Sequence, residues 1–540
     1  MKTLTKIYAS VAILVCTLIG CGQHPAVPES ATAENRLPEI YPDYKDVTVP
    51  CNIAPLNFKI VEECDECVAQ FTFDGGEYTY GDGVKVLIDE DEWKKMLSVS
   101  KGKSIKVNLY AKKDGKWTSY KEFDINVAEE EIDPYISYRL IQPSYVAYED
   151  LTINQRNLTN FEEKVIYGNM LVSNDLNGQC INCHSYQNYG TNNMQFHMRQ
   201  AMGGTVIVND GFAKKVNLKT DSTLSAGVYP SWHPTLKLIA YSTNLTGQAF
   251  HTKSSAKIDV QDTKSDIILY DIENNEVSNI SAIDTELEVF PWWAPDGKTL
   301  YFCSAFFEYK DTVANETEMI DRYTDVKHNI YRKSFDPQNK TFGETELVFD
   351  AAKDSLSATL PRISPDGRYL LFALGEHGCF HIWHADADIY ITDLQNMQTR
   401  KLENINSDQA ESYHSWSSNG RWIIVSSRRD DGNYTRPYIA YFDKNGKAHK
   451  AFALPQEDPD FYRYFTRSYN IPEFMKEPVA VTPQEFADVA KTEATVANFK
   501  SVKQSHGVLQ SSASLGDSLK VDGMTGASPK KPDTKEHIVN

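Results

Sequence analysis

Alternating apolar and polar residues dominate the chain from residue 47 to residue 128. Three such runs cover residues 68–73, 85–88 and 105–110, and Asp-Gly turns at Asp74, Asp82 and Asp114 break the pattern. Alternation bounded by turn residues is typical of half-buried strands. We therefore expect a mainly β protein whose N-terminal unit, residues 47–128, is β-sandwich-like.

A second pattern recurs four times between residues 229 and 426. Each copy has a bulky residue, then a turn, then an apolar strand. The bulky residues are Trp232, Trp293, Ile363 and Trp416, and the strands cover residues 238–241, 299–303, 369–373 and 422–426. In the last three copies the turn reads Pro-Asp-Gly or Ser-Asn-Gly, whose residues accept a positive φ. Units of about four strands repeated along a chain predict a β-propeller.

These copies resemble the TolB-like β-propellers, in which S-P-D-G-x-x-[IL]-x-[FY] occurs once per blade. The resemblance covers residues 203–460 and implies about six blades within residues 203–478. The first copy departs from the motif, because residues 233–236 read His-Pro-Thr-Leu. Residues 479–540 lack strong periodicity, and we expect this tail to be largely disordered.

Composition narrows the choice of partners. The 540 residues exceed what one hydrophobic core usually supports, so several domains are expected. A formal net charge of -19 argues against nucleic acid as a partner. The same acidity is compatible with docking a basic redox protein of the cell envelope.

The N-terminus predicts export. Lys2 and Lys6 precede an apolar run over residues 7–19, which is too short to span a membrane. Residues 18–21, Leu-Ile-Gly-Cys, resemble the bacterial lipoprotein box. The resemblance implies a signal peptide over residues 1–20, a lipid on Cys21 and a linker over residues 21–46. It places the protein in the cell envelope, most naturally on the outer membrane, facing the periplasm or the surface. An ordinary secretory signal is the alternative.

One motif carries candidate chemistry. Cys180 and Cys183 are separated by two residues and followed directly by His184, which is the attachment signature of c-type haem. Two thiols at this spacing can form thioethers with the two vinyl groups of one porphyrin, and the histidine is then the proximal iron ligand. A zinc site would need two more ligands, and a redox dithiol would be expected near a βαβ pattern. We expect one covalent haem c, within a connector and haem segment over residues 129–202.

The sixth iron ligand stays open between two candidates. Met194 and His197 are three residues apart and would share a face if this segment were helical, and we favour His197. His197 could equally be a packed loop residue or a partner of a haem propionate. Arg199 could hold a propionate because its guanidinium matches a carboxylate, or it could be a solvated charge.

The other cysteines and histidines fit structural roles. Cys64 and Cys67 repeat the thiol spacing without a following histidine, so we expect a structural disulfide, involving Cys51, rather than a second haem. His377, His381 and His384 lie between two strands of one propeller unit. We interpret them as loop residues, with a metal site as the weaker alternative.

The combination of these features resembles the Bacteroidetes-type haem-propeller lipoproteins, through the lipoprotein box, C-x-x-C-H, residues 194–205 (M-x-x-H-x-R-x-x-x-G-G-T) and the propeller copies. The resemblance implies an extracytoplasmic c-type cytochrome. An electron carrier whose propeller docks a partner is our main hypothesis. A peroxidase-like haem enzyme and a redox-sensing scaffold of an outer-membrane complex are the alternatives, and no hydrolase or phosphate-loop motif is present in the sequence.

Overall fold

A computed structural model describes residues 24–142, 150–172, 180–250, 257–310 and 315–501. The predicted signal peptide and the predicted lipidation site, Cys21, lie outside these ranges. Within them, no helix is long and apolar enough to cross a membrane. The chain is mainly β, as predicted.

The N-terminal domain is a sandwich of a seven-stranded and a three-stranded sheet. In the larger sheet β8 pairs with β5 along one edge and with β10 and then β9 along the other. The smaller sheet runs β2-β4-β7. The elements are β1 (Thr32–Ala33), β2 (Ile40–Tyr41), β3 (Val47–Val49), β4 (Phe58–Ile60), β5 (Glu66–Phe73), β6 (Gly76–Tyr80), β7 (Lys85–Val86), α1 (Glu90–Val99), β8 (Ser104–Lys113), β9 (Lys116–Ser119) and β10 (Phe123–Val127).

Alternation in these strands produces the predicted core. In β8 the apolar residues Ile105, Val107 and Leu109 are buried while their neighbours are more exposed. Trp93 of α1 is fully buried, and its indole N–H donates to the Ile53 carbonyl at 2.9 Å. The domain starts earlier than predicted, because residues 24–46 are not a free linker: they supply β1 and β2, and Tyr44 is fully buried.

Six four-stranded antiparallel units follow, and we name them blades 1 to 6. Blade 6 combines β11 (Tyr135–Ile141), β12 (Thr152–Asn157) and β13 (Glu163–Gly168) with a strand near the C-terminus. The other strands are β14 (Cys180–Gln187), β15 (Gly190–Arg199), β16 (Gly204–Asn209) and β17 (Phe212–Asn217) in blade 1; β18 (Val228–Trp232), β19 (Leu238–Phe250), β20 (Ile258–Asp271) and β21 (Glu276–Ser281) in blade 2; β22 (Glu286–Trp293), β23 (Thr299–Phe306), β24 (Asn329–Asp336) and β25 (Thr341–Phe349) in blade 3; β26 (Ser357–Ile363), β27 (Tyr369–Gly375), β28 (Asp388–Asp393) and β29 (Gln398–Lys401) in blade 4; β30 (Glu411–Trp416), β31 (Trp422–Ser427), β32 (Arg436–Tyr441) and β33 (Phe452–Ala453) in blade 5; and β34 (Ser468–Met475) in blade 6.

The innermost strands close a ring. Each of β14, β18, β22, β26, β30 and β34 contacts the next around the circle, and β34 contacts β14. β34 pairs with β11, so residues from the two ends of the propeller sequence share one blade. The described chain therefore forms a six-bladed β-propeller, in agreement with the predicted TolB-like architecture.

The propeller is larger than the predicted range of 203–478. Residues 135–168 and 180–199, assigned from sequence to a connector and haem segment, supply three strands of blade 6 and two of blade 1. The described part of the predicted disordered tail is also ordered: α4 (Pro483–Lys491) packs on blades 1 and 6, β35 (Thr495–Val496) pairs with β17, and β36 (Asn498–Phe499) pairs with β21. Two further helices are α2 (Asn315–Arg322) and α3 (Phe461–Tyr464).

A bulge occurs at the same point of every innermost strand. The pairing shifts register there, and the bulged residue has a left-handed φ between 44° and 55°. These residues are Cys183, Tyr229, Phe290, Leu360, Tyr413 and Ile471. We call the next position the axial slot; it holds His184, Pro230, Pro291, Pro361, His414 and Pro472. Proline suits a bulge because it has no N–H to leave unpaired.

Candidate functional site at the propeller axis

The C-x-x-C-H motif lies in β14, the innermost strand of blade 1. Cys183 is the left-handed residue of this blade, and His184 occupies its axial slot. The six left-handed residues together line a small cavity on the axis, of about 30 Å³, and His184 lines it too. The repeat geometry of the propeller thus brings a thiol and an imidazole to its axis.

The His184 imidazole is buried, and neither ring nitrogen makes a hydrogen bond of normal geometry among the described residues, although the Ile471 backbone lies close to the ring. Its ring packs edge-on against Tyr186, with centroids 6.2 Å apart. Burial, with the nearby positive charge of Arg139, lowers the pKa of His184 to about 3. The ring is therefore neutral at pH 7, and a neutral imidazole has a lone pair to offer a metal.

Both thiols of the motif are free. Cys183 is buried, and burial raises the pKa of its thiol. Cys180 is half-buried and lines a second cavity, of about 80 Å³, together with Asn182, Arg139 and Arg199. Cys180 and Arg199 are opposite each other in the β14–β15 pair. The predicted propionate partner Arg199 thus lies beside the first thiol.

These residues fit a c-type haem by their chemistry but not by the space around them. The donors are present, since two free thiols precede an imidazole whose nitrogens make no hydrogen bond of normal geometry among the described residues. The cavities of about 80 and 30 Å³ are much smaller than the roughly 300–1,000 Å³ of sites for organic ligands. A porphyrin bound to this strand would need more space than these two cavities provide.

The predicted distal ligands do not meet His184. His197 and Met194 lie on a strand rather than a helix, so their odd spacing places them on opposite faces of β15. Met194 packs in the apolar cluster with Tyr167 and Phe486. His197 is buried, and its Nδ1 is 3.1 Å from the Thr205 hydroxyl. Neither side chain lines the axial cavity, and the shared helical face considered from their spacing does not form, because the segment is a strand.

A guanidinium and a carboxyl group that were not identified from the sequence also face the axial cavity. Arg362 and Glu473 each lie two residues after the left-handed residue of their blade, and both line the axial cavity. Burial lowers the pKa of Arg362 to about 10 and raises the pKa of Glu473 to about 8. The guanidinium lies 4.0 Å above the Trp292 ring. Arg362 lies within the third repeat copy, whereas no sequence pattern marks Glu473, because its strand lies outside the four copies.

A larger cavity, of about 360 Å³, opens at one end of the axis. Aromatic side chains dominate its wall, among them Trp232, Trp292, Trp293 and Trp416, and Glu473 also lines it. Three of these four are the bulky repeat residues identified from sequence. They converge because each follows the bulge of its innermost strand by the same number of residues.

The remaining cysteines and histidines also have definite positions. None of the seven cysteines within the described residues forms a disulfide, so the expected bond of Cys51 is absent there. His381 lies in a 3-10 helix, and its Nδ1 is 3.0 Å from the Thr359 hydroxyl. His377 and His384 flank this helix, on the loop between β27 and β28, as predicted.

No protein-family model and no curated protein sequence matches this chain. Similar solved structures include TolB from Acinetobacter baumannii, with 12% identity over 71% of this chain and 85% of that chain and a TM-score of 0.38. A DUF4784 family protein from Bacteroides caccae has 8% identity over 69% and 97%, with a TM-score of 0.27. Prolyl oligopeptidase B from Galerina marginata has 10% identity over 59% and 44%, with a TM-score of 0.33. These TM-scores are too low to carry an argument, so the propeller assignment rests on the strand pairing.

Proposed function

We propose that this chain is a lipid-anchored redox protein of the cell envelope, in which Cys180 and Cys183 would hold one haem c and His184 would offer its imidazole to the iron. The propeller would dock a redox or envelope partner, and Cys21 would carry the lipid. The observation that carries the proposal is the pair of free thiols, Cys180 and Cys183, directly before the buried imidazole of His184.

The surrounding residues are suited to the other needs of such a group. When bound, haem c supplies a one-electron centre whose potential depends on its axial ligands. Arg199 lines the cavity beside Cys180, and its guanidinium can hold a propionate carboxylate. The Arg139 guanidinium also lines this cavity but already donates to Ile181, Asn182 and Asn470. Burial keeps His184 neutral, which leaves its lone pair available at any pH above about 3.

Covalent attachment is the direct test. The full-length chain would be produced in a bacterium that matures c-type cytochromes, with a known cytochrome as host control, and its mass and haem stain recorded after denaturation. We expect one haem per chain, lost in the double variant Cys180→Ala/Cys183→Ala. Cys303→Ala, which removes a free buried thiol in blade 3, should keep it. A wild-type chain without haem in a host that matures the control would overturn the proposal.

Spectra of the haem-loaded chain would separate the carrier from its alternatives. A six-coordinate low-spin haem supports an electron carrier, whereas a high-spin ferric form supports a peroxidase-like enzyme. His197 and Met194 lie away from the axial cavity in the described structure. Spectra of His197→Ala and Met194→Ala would show whether either side chain binds the iron. A stable assembly recovered with the wild-type chain would favour a redox-sensing scaffold.

A second candidate function is a propeller that binds an organic ligand without haem. The cavity of about 360 Å³ at the end of the axis favours it, because its aromatic wall and volume match small-molecule sites. In that case β14 is only a blade strand, and the small space beside His184 needs no further explanation. A chain that lacks haem but changes its tryptophan fluorescence with a bound ligand, and loses this response in Trp292→Ala, would support this function.

A further inference from the structure

Asp259, His377 and His384 come together at a distance from the C-x-x-C-H strand. We propose that these three side chains form a binding site for a transition-metal dication of the Zn²⁺ type. The ligand atoms that they offer all lie within 4.8 Å of one another. The inference is independent of haem binding, since none of the three residues belongs to blade 1.

The fold explains how residues far apart in sequence meet here. Strands β19 and β20 have 13 and 14 residues, against six to ten in most strands of the other blades, and they stay paired along this length. Asp259 is the second residue of β20, near the tip of this long hairpin. The hairpin extends past blade 3 and reaches the loop of blade 4 that carries His377 and His384.

The distances are close to those of a metal site. The Asp259 Oδ1 atom is 3.2 Å from the His384 Nε2 atom, and Oδ2 is 3.7 Å from the His377 Nε2 atom. Bonds of 2.0–2.2 Å to a tetrahedral zinc ion separate neighbouring ligand atoms by about 3.4 Å. The two imidazole rings have centroids 4.7 Å apart. A small rotation of these side chains would therefore place an ion between them.

Burial and charge favour an ion. Asp259 and His384 are almost fully buried, whereas the His377 side chain keeps 18% of its surface exposed, which leaves an entry path. Asp259 contributes a buried carboxylate, which is costly unless a positive charge lies close to it. The His384 Nδ1 atom is also buried without a partner in the described part of the chain. A dication would compensate the charge.

The surrounding contacts hold the site in shape. The His381 Nε2 atom lies 3.2 Å from the His377 carbonyl, so this ring braces the loop without joining the ligand set. The Tyr323 ring packs edge-on against His377, at 5.2 Å. Such outer contacts typically fix the orientation of ligating histidines. Two nitrogens and one carboxylate select zinc, cobalt or nickel over calcium and magnesium, and leave a fourth position for water.

Metal titration of the full chain tests the proposal. In a Cys180→Ala/Cys183→Ala background, which excludes thiolate binding at the motif, we expect one equivalent of Zn²⁺ to bind and Co²⁺ to give visible d–d bands. His384→Ala should weaken binding at least 100-fold. His377→Gln, at the more exposed ligand, should do the same while preserving the far-UV circular dichroism spectrum.

The matched control is His449→Gln. His449 lies 3.4 Å from Asp443, in a histidine–carboxylate pair without a second histidine, so its loss should leave binding unchanged. The proposal is overturned if the background protein binds no Zn²⁺ or if binding survives in His377→Gln with unchanged affinity. Failure here leaves the haem test untouched, because that test is read from covalent attachment.

Discussion

Replacing His414 with proline should stabilise this protein, although it places proline inside a β-strand. His414 occupies the axial slot of blade 5, and proline occupies that slot in four of the six described blades. The β30–β31 pairing shifts register between Ser412 and Ser415, so residue 414 lies within the bulge and outside the regular ladder. Tyr413 before it has the same left-handed φ as Leu360 before Pro361. Proline should therefore fit without strain.

The expected gain can be worked out from the burial of the imidazole. His414 is almost fully buried, and neither ring nitrogen makes a hydrogen bond of normal geometry among the described residues, although the Leu360 and Leu371 backbones lie close to the ring. Removing such a group recovers about 1–3 kcal/mol, and proline adds about 0.4–1 kcal/mol by restricting the unfolded chain. The smaller side chain leaves a void that costs about 1 kcal/mol. The net gain at pH 7 is therefore about 0.4–3 kcal/mol, with a central value of about 1.5 kcal/mol.

The gain should grow at lower pH. Burial lowers the pKa of His414 from 6.5 to about 3. Below pH 6.5 the unfolded chain therefore binds a proton at this residue, whereas the folded chain does not bind it until the pH approaches 3. The free energy of unfolding falls as pH decreases from 6.5 towards 3. At pH 5 this loss is about 2 kcal/mol, from 1.5 pKa units at 1.36 kcal/mol each. His414→Pro removes it, so the advantage of the variant rises to about 3–4 kcal/mol.

Urea unfolding at pH 7 and pH 5, followed by tryptophan fluorescence and circular dichroism, measures both quantities. His414→Ala is the matched control, because it removes the imidazole without the restriction that proline imposes. Other buried histidines titrate equally in both proteins, so the difference isolates position 414. The reasoning is refuted if proline destabilises the protein at both pH values, or if the advantage stays constant between them.

Two further stability predictions come from blade 6. Glu473→Gln removes a carboxyl group whose pKa burial raises from 4.5 to about 8. The stabilising effect of this group is complete below pH 4.5 and is lost as pH rises towards 8. Urea unfolding at pH 5 and pH 8 should therefore show the variant gaining roughly up to 4 kcal/mol on the wild type between the two pH values, and an equal difference at both would contradict a buried carboxyl group. Tyr469→Ala should cost about 3–5 kcal/mol in thermal or urea unfolding, because this fully buried ring packs 4.7 Å from Tyr138 where β34 joins β11. Tyr469→Phe should cost little, since the hydroxyl has no partner among the described residues. A large loss in the phenylalanine variant would show that the hydroxyl, and not the ring, secures the closure.

Sequence patterns predicted blades 2 to 5 because those blades are built from consecutive strands joined by recognisable turns. Each of the four copies supplied an innermost strand, a turn and a second strand in that order. Blade 6 escaped prediction for a physical reason. Its innermost strand follows Arg467, but its other three strands lie more than 300 residues earlier, and no local pattern records that pairing.

Blade 1 was not predicted because its innermost strand carries the C-x-x-C-H motif in place of the repeat motif. The residues that follow its bulge, Ser185 to Gln187, lead into a turn at Asn188 and Tyr189, both with left-handed φ, instead of Pro-Asp-Gly. The motif was therefore placed in a connector and haem segment over residues 129–202, and Met194 and His197 were considered as neighbours on one helical face. The strand pairing corrects both points. The sequence identifies Cys180, Cys183 and His184 as candidate ligands. The environment of these side chains depends on contacts between blades, which the spacing of residues in the sequence does not reveal.

The comparison of His184 with His414 bears most directly on the chemistry of the axis. Both histidines occupy axial slots, both are buried without a hydrogen bond of normal geometry among the described residues, and burial lowers the pKa of each to about 3. An unpaired imidazole in this slot therefore does not by itself indicate iron. What distinguishes His184 is the pair of thiols before it, since Ala410 and Tyr413 stand at the corresponding positions of blade 5. If the thiols serve a porphyrin, His184→Pro should change the haem spectrum and His414→Pro should not. If the slot only shapes the blade, the two substitutions should stabilise the protein alike.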